Sequence, residues 1–189
     1  MATPDAIACL GDTLVALLQT GLSGLVLPAN VFMSTPSDFK EFAPRQPAVT
    51  IFLYHVGIHG EMRNAPRRTL PSGASRRPPL PLECRFLVTP WTQVTRDAYR
   101  IIGAIALVLG DHAVLTFTEL LGDDVWAPDD TVELILESLP VNDHYDIWEP
   151  TDIPYRLSLT YLARLIGIDS TLTTAAAPIA VAGFPQVAP

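Results

Sequence analysis

Two strand-like runs bracket a long stretch rich in arginine and proline, and this layout limits the fold more than any other feature. From Ala48, the residues Val49, Ile51 and Leu53 alternate with Thr50, Phe52 and Tyr54, and the run extends to Ile58. From Leu80 to Thr89, the residues Leu82, Cys84, Phe86 and Val88 alternate with Glu83, Arg85 and Leu87. Period-two alternation marks strands. Both faces of the first run are apolar, which places it centrally in a sheet with cover on each side. Between the runs lie Arg63, Arg67, Arg68, Arg76 and Arg77, with Pro66, Pro71, Pro78 and Pro79. If the two strands pair, this stretch is the extended arginine-rich tip of a hairpin. A connection of that length in a compact domain is functional or disordered.

Helical periodicity appears three times. In the first helix Thr3 is a candidate cap and Pro4 fits the first position; Ile7, Leu10, Leu14, Leu17 and Leu18 share a face, and Gly21 is a plausible stop. Residues 22–33 read as a loop or short strand, and 34–47 as irregular. Pro90 and Trp91 end the second run. The second helix takes Thr95 as cap, aligns Ala98, Ile101, Ile102, Ile105 and Leu109, and stops at Gly110. Residues 111–130 read as short connections. Thr131–Glu137 alternates as a third strand, and Asn142–Trp148 is a short helix capped by Asn142. Tyr155–Ile168 alternates as a last strand, long against a usual length of about five or six. The order predicts an α+β domain: a mostly antiparallel or mixed sheet of about four strands, with helices on one side. Its 189 residues suit one domain over residues 1–169. Residues 170–189 carry no charged side chain and form an apolar, alanine- and proline-rich tail, either floppy or an arm that orders on a partner.

Charge is sorted along the chain. Glu61–Arg100 holds eight arginines and three acids, whereas Glu119–Asp152 holds eleven acids and no lysine or arginine. One reading is head-to-tail association, the basic segment of one copy meeting the acidic surface of the next; such a contact closes into a ring if its rotation allows. The other is a pair of solvated surfaces, or patches that pair within the chain. The net charge of −8 argues against a general nucleic-acid binder and against an anionic membrane surface. No aromatic residue lies between Arg63 and Arg85 on which bases would stack. No segment reads as a targeting or membrane-spanning signal, so the cytoplasm is the expected compartment.

Chemistry-bearing patterns are sparse. His55 and His59 have the spacing of a metal pair on a helix, but along a strand that spacing separates them by roughly 13 Å. Asp123-Asp124 and Asp129-Asp130 lack the spacing of a calcium loop and read as solvated turns. No nucleophile elbow or nucleotide-binding glycine motif occurs. Two cysteines, Cys9 and Cys84, make no disulfide framework, and Cys84 reads as a small core residue. Asp143, His144 and Asp146 are explained by helix capping. No catalytic residue, metal or cofactor is expected; a small cytoplasmic enzyme with dispersed catalytic groups stays open as an alternative.

The order and spacing of several segments nevertheless carry a resemblance. Leu53-Tyr54-His55, Arg63-Asn64, Pro78-Pro79-Leu80-Pro81-Leu82 and Leu87-Val88-Thr89-Pro90 are followed by Ile147-Trp148, Tyr155–Tyr161, Arg164 and Ile168-Asp169. Together they resemble the cap, or tail-terminator, family of phage-tail-like contractile injection systems. Cys84-Arg85-Phe86 departs from that pattern, and longer relatives add material beyond this domain. The resemblance implies a terminator fold in a six-membered ring of identical chains, ending the inner tube and joining the last layer of sheath. Its partners would be itself, the sheath protein and the inner tube protein, with no nucleic acid and no membrane. The resemblance implies assembly in the cytoplasm, and leaves open whether the particle stays in the cell or is released. The family has no established active site, so no catalytic residue carries over. Candidate interface residues are Arg63, Arg67, Arg68, Arg76, Arg77, Arg156 and Arg164. A connector or baseplate-associated adaptor of the same particle is the alternative role.

Overall fold

The computed structural model describes residues 2–24, 29–40, 47–60, 68–69 and 75–174. Among these residues three helices, α1 (Ala6–Ser23), α2 (Thr95–Asp111) and α3 (Val141–Trp148), accompany nine strands. In chain order these are β1 (Asn30–Met33), β2 (Ala48–Ile58), β3 (Arg68–Thr69), β4 (Ser75–Arg76), β5 (Leu80–Trp91), β6 (Val114–Thr116), β7 (Thr131–Glu137), β8 (Leu159–Ile168) and β9 (Thr173–Thr174). Six of them make one sheet in the order β1-β2-β5-β8-β7-β6, and β3, β4 and β9 make a small second sheet. The main sheet is mixed, since β1 runs parallel to β2 and the remaining pairs are antiparallel.

The main sheet has six strands rather than about four. The additional ones, β1 and β6, are its two edges, four and three residues long, too short for alternation to show. Strand β5 also runs through Pro90 and Trp91, which pair with Val49 and Ala48 of β2. On its other side β8 has already ended, at Leu159 opposite Val88, so a residue without an N–H is tolerated there. The strand expected from Tyr155 is β8 and begins at Leu159, because Tyr155, Arg156 and Ser158 turn to α3 and to Trp91 instead of a ladder.

Two register shifts decide which side chains reach the core. Opposite β5, strand β2 carries an extra residue at Tyr54, between Leu53 and His55. Opposite the single residue Glu83, β8 places two residues, Arg164 and Leu165, one more than regular pairing needs, so that Ile166 continues the buried face of Tyr161 and Ala163. Bulges of this kind bend a strand and re-aim its side chains.

Cover lies on both faces of the sheet, and the helices are not confined to one side. On one face α1 buries Leu10, Leu14, Leu18 and Leu22, a stripe repeating every fourth residue, beside Ile101, Ile105 and Leu109 of α2. Each such leucine contributes about 1.5–3 kcal/mol. With a mean hydropathy of 1.4, α1 is long and apolar enough by composition to cross a membrane; in this fold its apolar stripe lies against the sheet. The other face exposes Leu87, Trp91 and Phe52, which need a second layer, and Phe39 with Trp148 of α3 supplies it.

None of the three helices has a side-chain cap at its N-terminus. Asp5, Val94 and Pro140 hold those positions in place of Thr3, Thr95 and Asn142. Thr3 instead offers its carbonyl to the Ala6 N–H and its own N–H to Val125. Helix α1 runs past Gly21 to Ser23, and α2 runs past Gly110 to Asp111. Gly21 serves packing, since a Cβ there would overlap the Val108 side chain of α2. Ahead of α1, Ala2 is buried beside β8, donating to the Gly167 carbonyl at 3.0 Å and accepting from the Asp169 N–H at 2.9 Å.

Candidate assembly surface

The arginines singled out by the sequence separate into three groups. Arg63 and Arg67 lie outside the described residues, and Arg68 is described only as backbone of β3, paired with Arg76 of β4. Three are engaged within the chain. Arg76 donates to the Ser170 carbonyl at 2.8 Å and pairs with Asp169 at 3.2 Å. Arg164 pairs with Glu133 at 2.6 Å. Arg156 lays its guanidinium over the Trp91 ring, 4.6 Å from the centroid. Arg77 is exposed and has no ion pair among the described residues.

Part of the segregated charge is therefore joined across the sheet. Besides Arg164 and Glu133, Arg85 of β5 reaches over β8 to Glu137 of β7 at 3.2 Å. Glu83 holds His59 at 2.7 Å. Register explains these contacts: Arg85 stands opposite Leu162, and Leu162 opposite Ile135, two residues from Glu137. The acids of α3 and of its C-cap do not join this ladder. Asp143, Asp146 and Glu149 are exposed and have no ion pair among the described residues.

Around α3 an aromatic cluster is held by a closed hydrogen-bond network. Phe39, Trp91 and Trp148 pack with ring centroids 5.5–6.4 Å apart, and Trp91 donates its indole N–H to Thr50 Oγ1 at 2.8 Å. Trp148 donates to Ser158 Oγ at 3.3 Å. His144 joins Ser158 Oγ through Nε2 at 3.3 Å and Tyr155 through Nδ1 at 3.2 Å. One assignment satisfies every group: Nε2–H donates to Ser158, Ser158 donates to the Arg156 carbonyl, and the Tyr155 hydroxyl donates to Nδ1. That assignment requires neutral His144, and burial lowers its pKa in the same sense. Burial also raises the pKa of Tyr155, with the neighbouring Tyr145 adding to it.

Tyr145 stacks on Tyr155 with centroids 4.3 Å apart. The two rings, Trp148 and Ile153 wall an open cleft whose rim carries Asp146 and Glu149. Sequence reading missed its assembly. His144, Ser158 and Tyr155 sit 14 residues apart at most and are joined only by the turn after α3, so no local spacing signals it. Asp143 and Asp146 do not cap the helix: both lie inside it and both are exposed.

Elsewhere the titratable groups point to structure. Cys84 is fully buried, and burial pushes its thiol up to about 11. His112 and Glu119 pair at 2.9 Å, where the Thr116 N–H and hydroxyl together with His112 hold the Glu119 carboxyl below its usual range.

Residues 10–181 match the family described as the Pvc16 N-terminal domain. The chain belongs to that family. Solved structures carry the same fold. The chain is similar to the sheath/tube terminator of PVC, an extracellular contractile injection system, in its extended state, with a TM-score of 0.68 and 17% identity. That match covers 100% of this chain and 66% of the terminator. It is also similar to the tube-terminating cap of the anti-feeding prophage, with a TM-score of 0.59 and 17% identity over 91% of this chain and 59% of that one. The chain thus spans 59–66% of the length of these relatives. No curated protein matches the sequence.

Proposed function

We propose that this Pvc16 N-terminal domain protein is a structural cap that terminates the inner tube and the sheath of a contractile injection system. The supporting observation is the family match over residues 10–181, together with a terminator fold spanning the whole chain. The cap is a ring of identical chains, six to match a six-fold tube, and its partners are the tube protein and the last sheath layer. Its role is mechanical rather than catalytic: the titratable groups that cluster, such as His144 with Tyr155 and His59 with Glu83, are bonded to their neighbours within the chain. Assembly takes place in the cytoplasm, before any release of the particle.

Co-expression of tube, sheath and baseplate proteins with and without this chain tests the reading. With the chain present, extended particles of uniform length are expected. Without it, tubes and sheaths of scattered length, or sheaths that contract early, should dominate. Particles of unchanged length and state in its absence would overturn the cap role.

A further inference from the structure

The cleft beside α3 has the chemistry of a guanidinium receptor. Tyr145 and Tyr155 present stacked rings at its mouth, Trp148 lies behind them, and Asp146 and Glu149 stand on the rim. Residues three apart on a helical turn face the same way, so both carboxylates flank the rings. Aromatic faces attract cations, arginine most readily, and carboxylates take the guanidinium fork. The volume of about 450 Å³ accommodates such a side chain. The chain already uses this arrangement on the adjoining surface, where Arg156 covers Trp91.

Charge calls for an arginine, and distance makes Arg77 a donor that has to come from another copy. Cations in this chain are eleven arginines and one lysine, and the exposed Arg77 stands just before β5. The cleft lies at the far end of that strand, because Trp148 packs on Trp91. The 12 residues of β5 span about 35–40 Å. No arginine side chain crosses that distance, so a chain cannot fill its own cleft with Arg77. We propose that the cleft formed by Tyr145, Trp148 and Tyr155, rimmed by Asp146 and Glu149, receives Arg77 of a second copy of this chain. Donor and receptor lie on opposite ends of the molecule, which is the head-to-tail geometry that closes into a ring. The inference rests on the ring reading of the cap and names the residues that make its contact.

The test measures the mass of the purified full-length protein by light scattering across a concentration series at low and moderate salt. The wild type should associate, and less so as salt rises. Arg77→Glu, and Asp146→Arg with Glu149→Arg, should each weaken association at least tenfold. Combining all three should restore it. The milder pair Asp146→Asn with Glu149→Gln should weaken it in part, and circular dichroism checks that each variant is folded. A wild type that stays monomeric, variants that associate unchanged, or a triple variant that is not restored would overturn the proposal. Variants that associate normally but no longer bind sheath or tube protein would assign the cleft to that partner and overturn it as well. The two proposals fail separately. A wild type that stays monomeric in solution yet still controls particle length leaves the cap reading and removes the cleft contact. Intact association through the cleft, with no effect on particle length, does the reverse.

Discussion

The Arg156 guanidinium lies 4.6 Å from the centre of the Trp91 ring, closing the outer surface of a cluster whose other members are Phe39 and Trp148. Trp91 is only 1% exposed, so the arginine stem and head act as its lid. Arg156→Ala removes both the cation–π contact and that cover. Destabilisation of about 1 kcal/mol is expected in urea unfolding, with a red-shifted tryptophan emission that reports the wetted indole. Arg156→Lys should recover part of the stability. Unchanged stability and emission in Arg156→Ala would show that the lid contributes nothing.

His144 links stability to pH. Burial holds its pKa below the unfolded value of 6.5, so the unfolded chain binds the extra proton more readily. The contribution of neutral His144 is therefore complete above about pH 6.5 and is lost as the pH falls towards the folded pKa. The thermal midpoint of the wild type should drop between pH 7.5 and pH 5 by more than that of His144→Gln. Parallel curves for the two proteins would contradict this.

The contact between α1 and α2 depends on Gly21. A Cβ there would overlap Val108, whose β-branched side chain has little freedom to give way. Gly21→Ala gains up to about 1 kcal/mol in helix propensity but incurs overpacking of about 1–3 kcal/mol, so net destabilisation is expected. Gly21→Ala with Val108→Ala should be more stable than the two single changes added together. A stabilised Gly21→Ala would show that the helices separate at no cost.

Much of the fold is legible in the chain, and the misses have local causes. Long elements with sustained periodicity announce themselves: Thr131–Glu137 is found as strand β7 with the bounds its alternation gives, and the leucine stripe of α1 is found buried. The edges β1 and β6 are too short to alternate. Pro90 reads as a strand end because sequence does not reveal that β8 stops opposite Val88. Tyr155–Ser158 alternates like a strand, yet its side chains are claimed by His144, Trp148 and Trp91, a tertiary demand that overrides the pattern. The same reason hides the α3 cleft. Charge sorting was visible, but only the register of β5, β8 and β7 shows that Arg85 and Arg164 are matched by Glu137 and Glu133 while the acids of α3 are not.

Thiol chemistry offers a direct check on the core. Cys84 is fully buried with its thiol pushed up to about 11, so it should resist alkylation in the folded protein at neutral pH. Cys9 is partly exposed, and burial together with Asp12 and Asp5 raises its pKa, so it should react slowly but ahead of Cys84. Mass spectrometry of timed alkylation reads both sites. Rapid labelling of Cys84 without denaturant would contradict the packing of β5 against α1 and α2.

As the proposed cap, this chain closes the end of a tube and sheath. Cryo-electron microscopy of intact particles carrying the untagged chain tests it most directly, through the location and symmetry of the density that the fold fits. A cap gives a single ring at the end opposite the baseplate, seated on the last tube layer and touching the last sheath layer. Density at the baseplate, density repeated along the tube, or a distal end without this fold would contradict it.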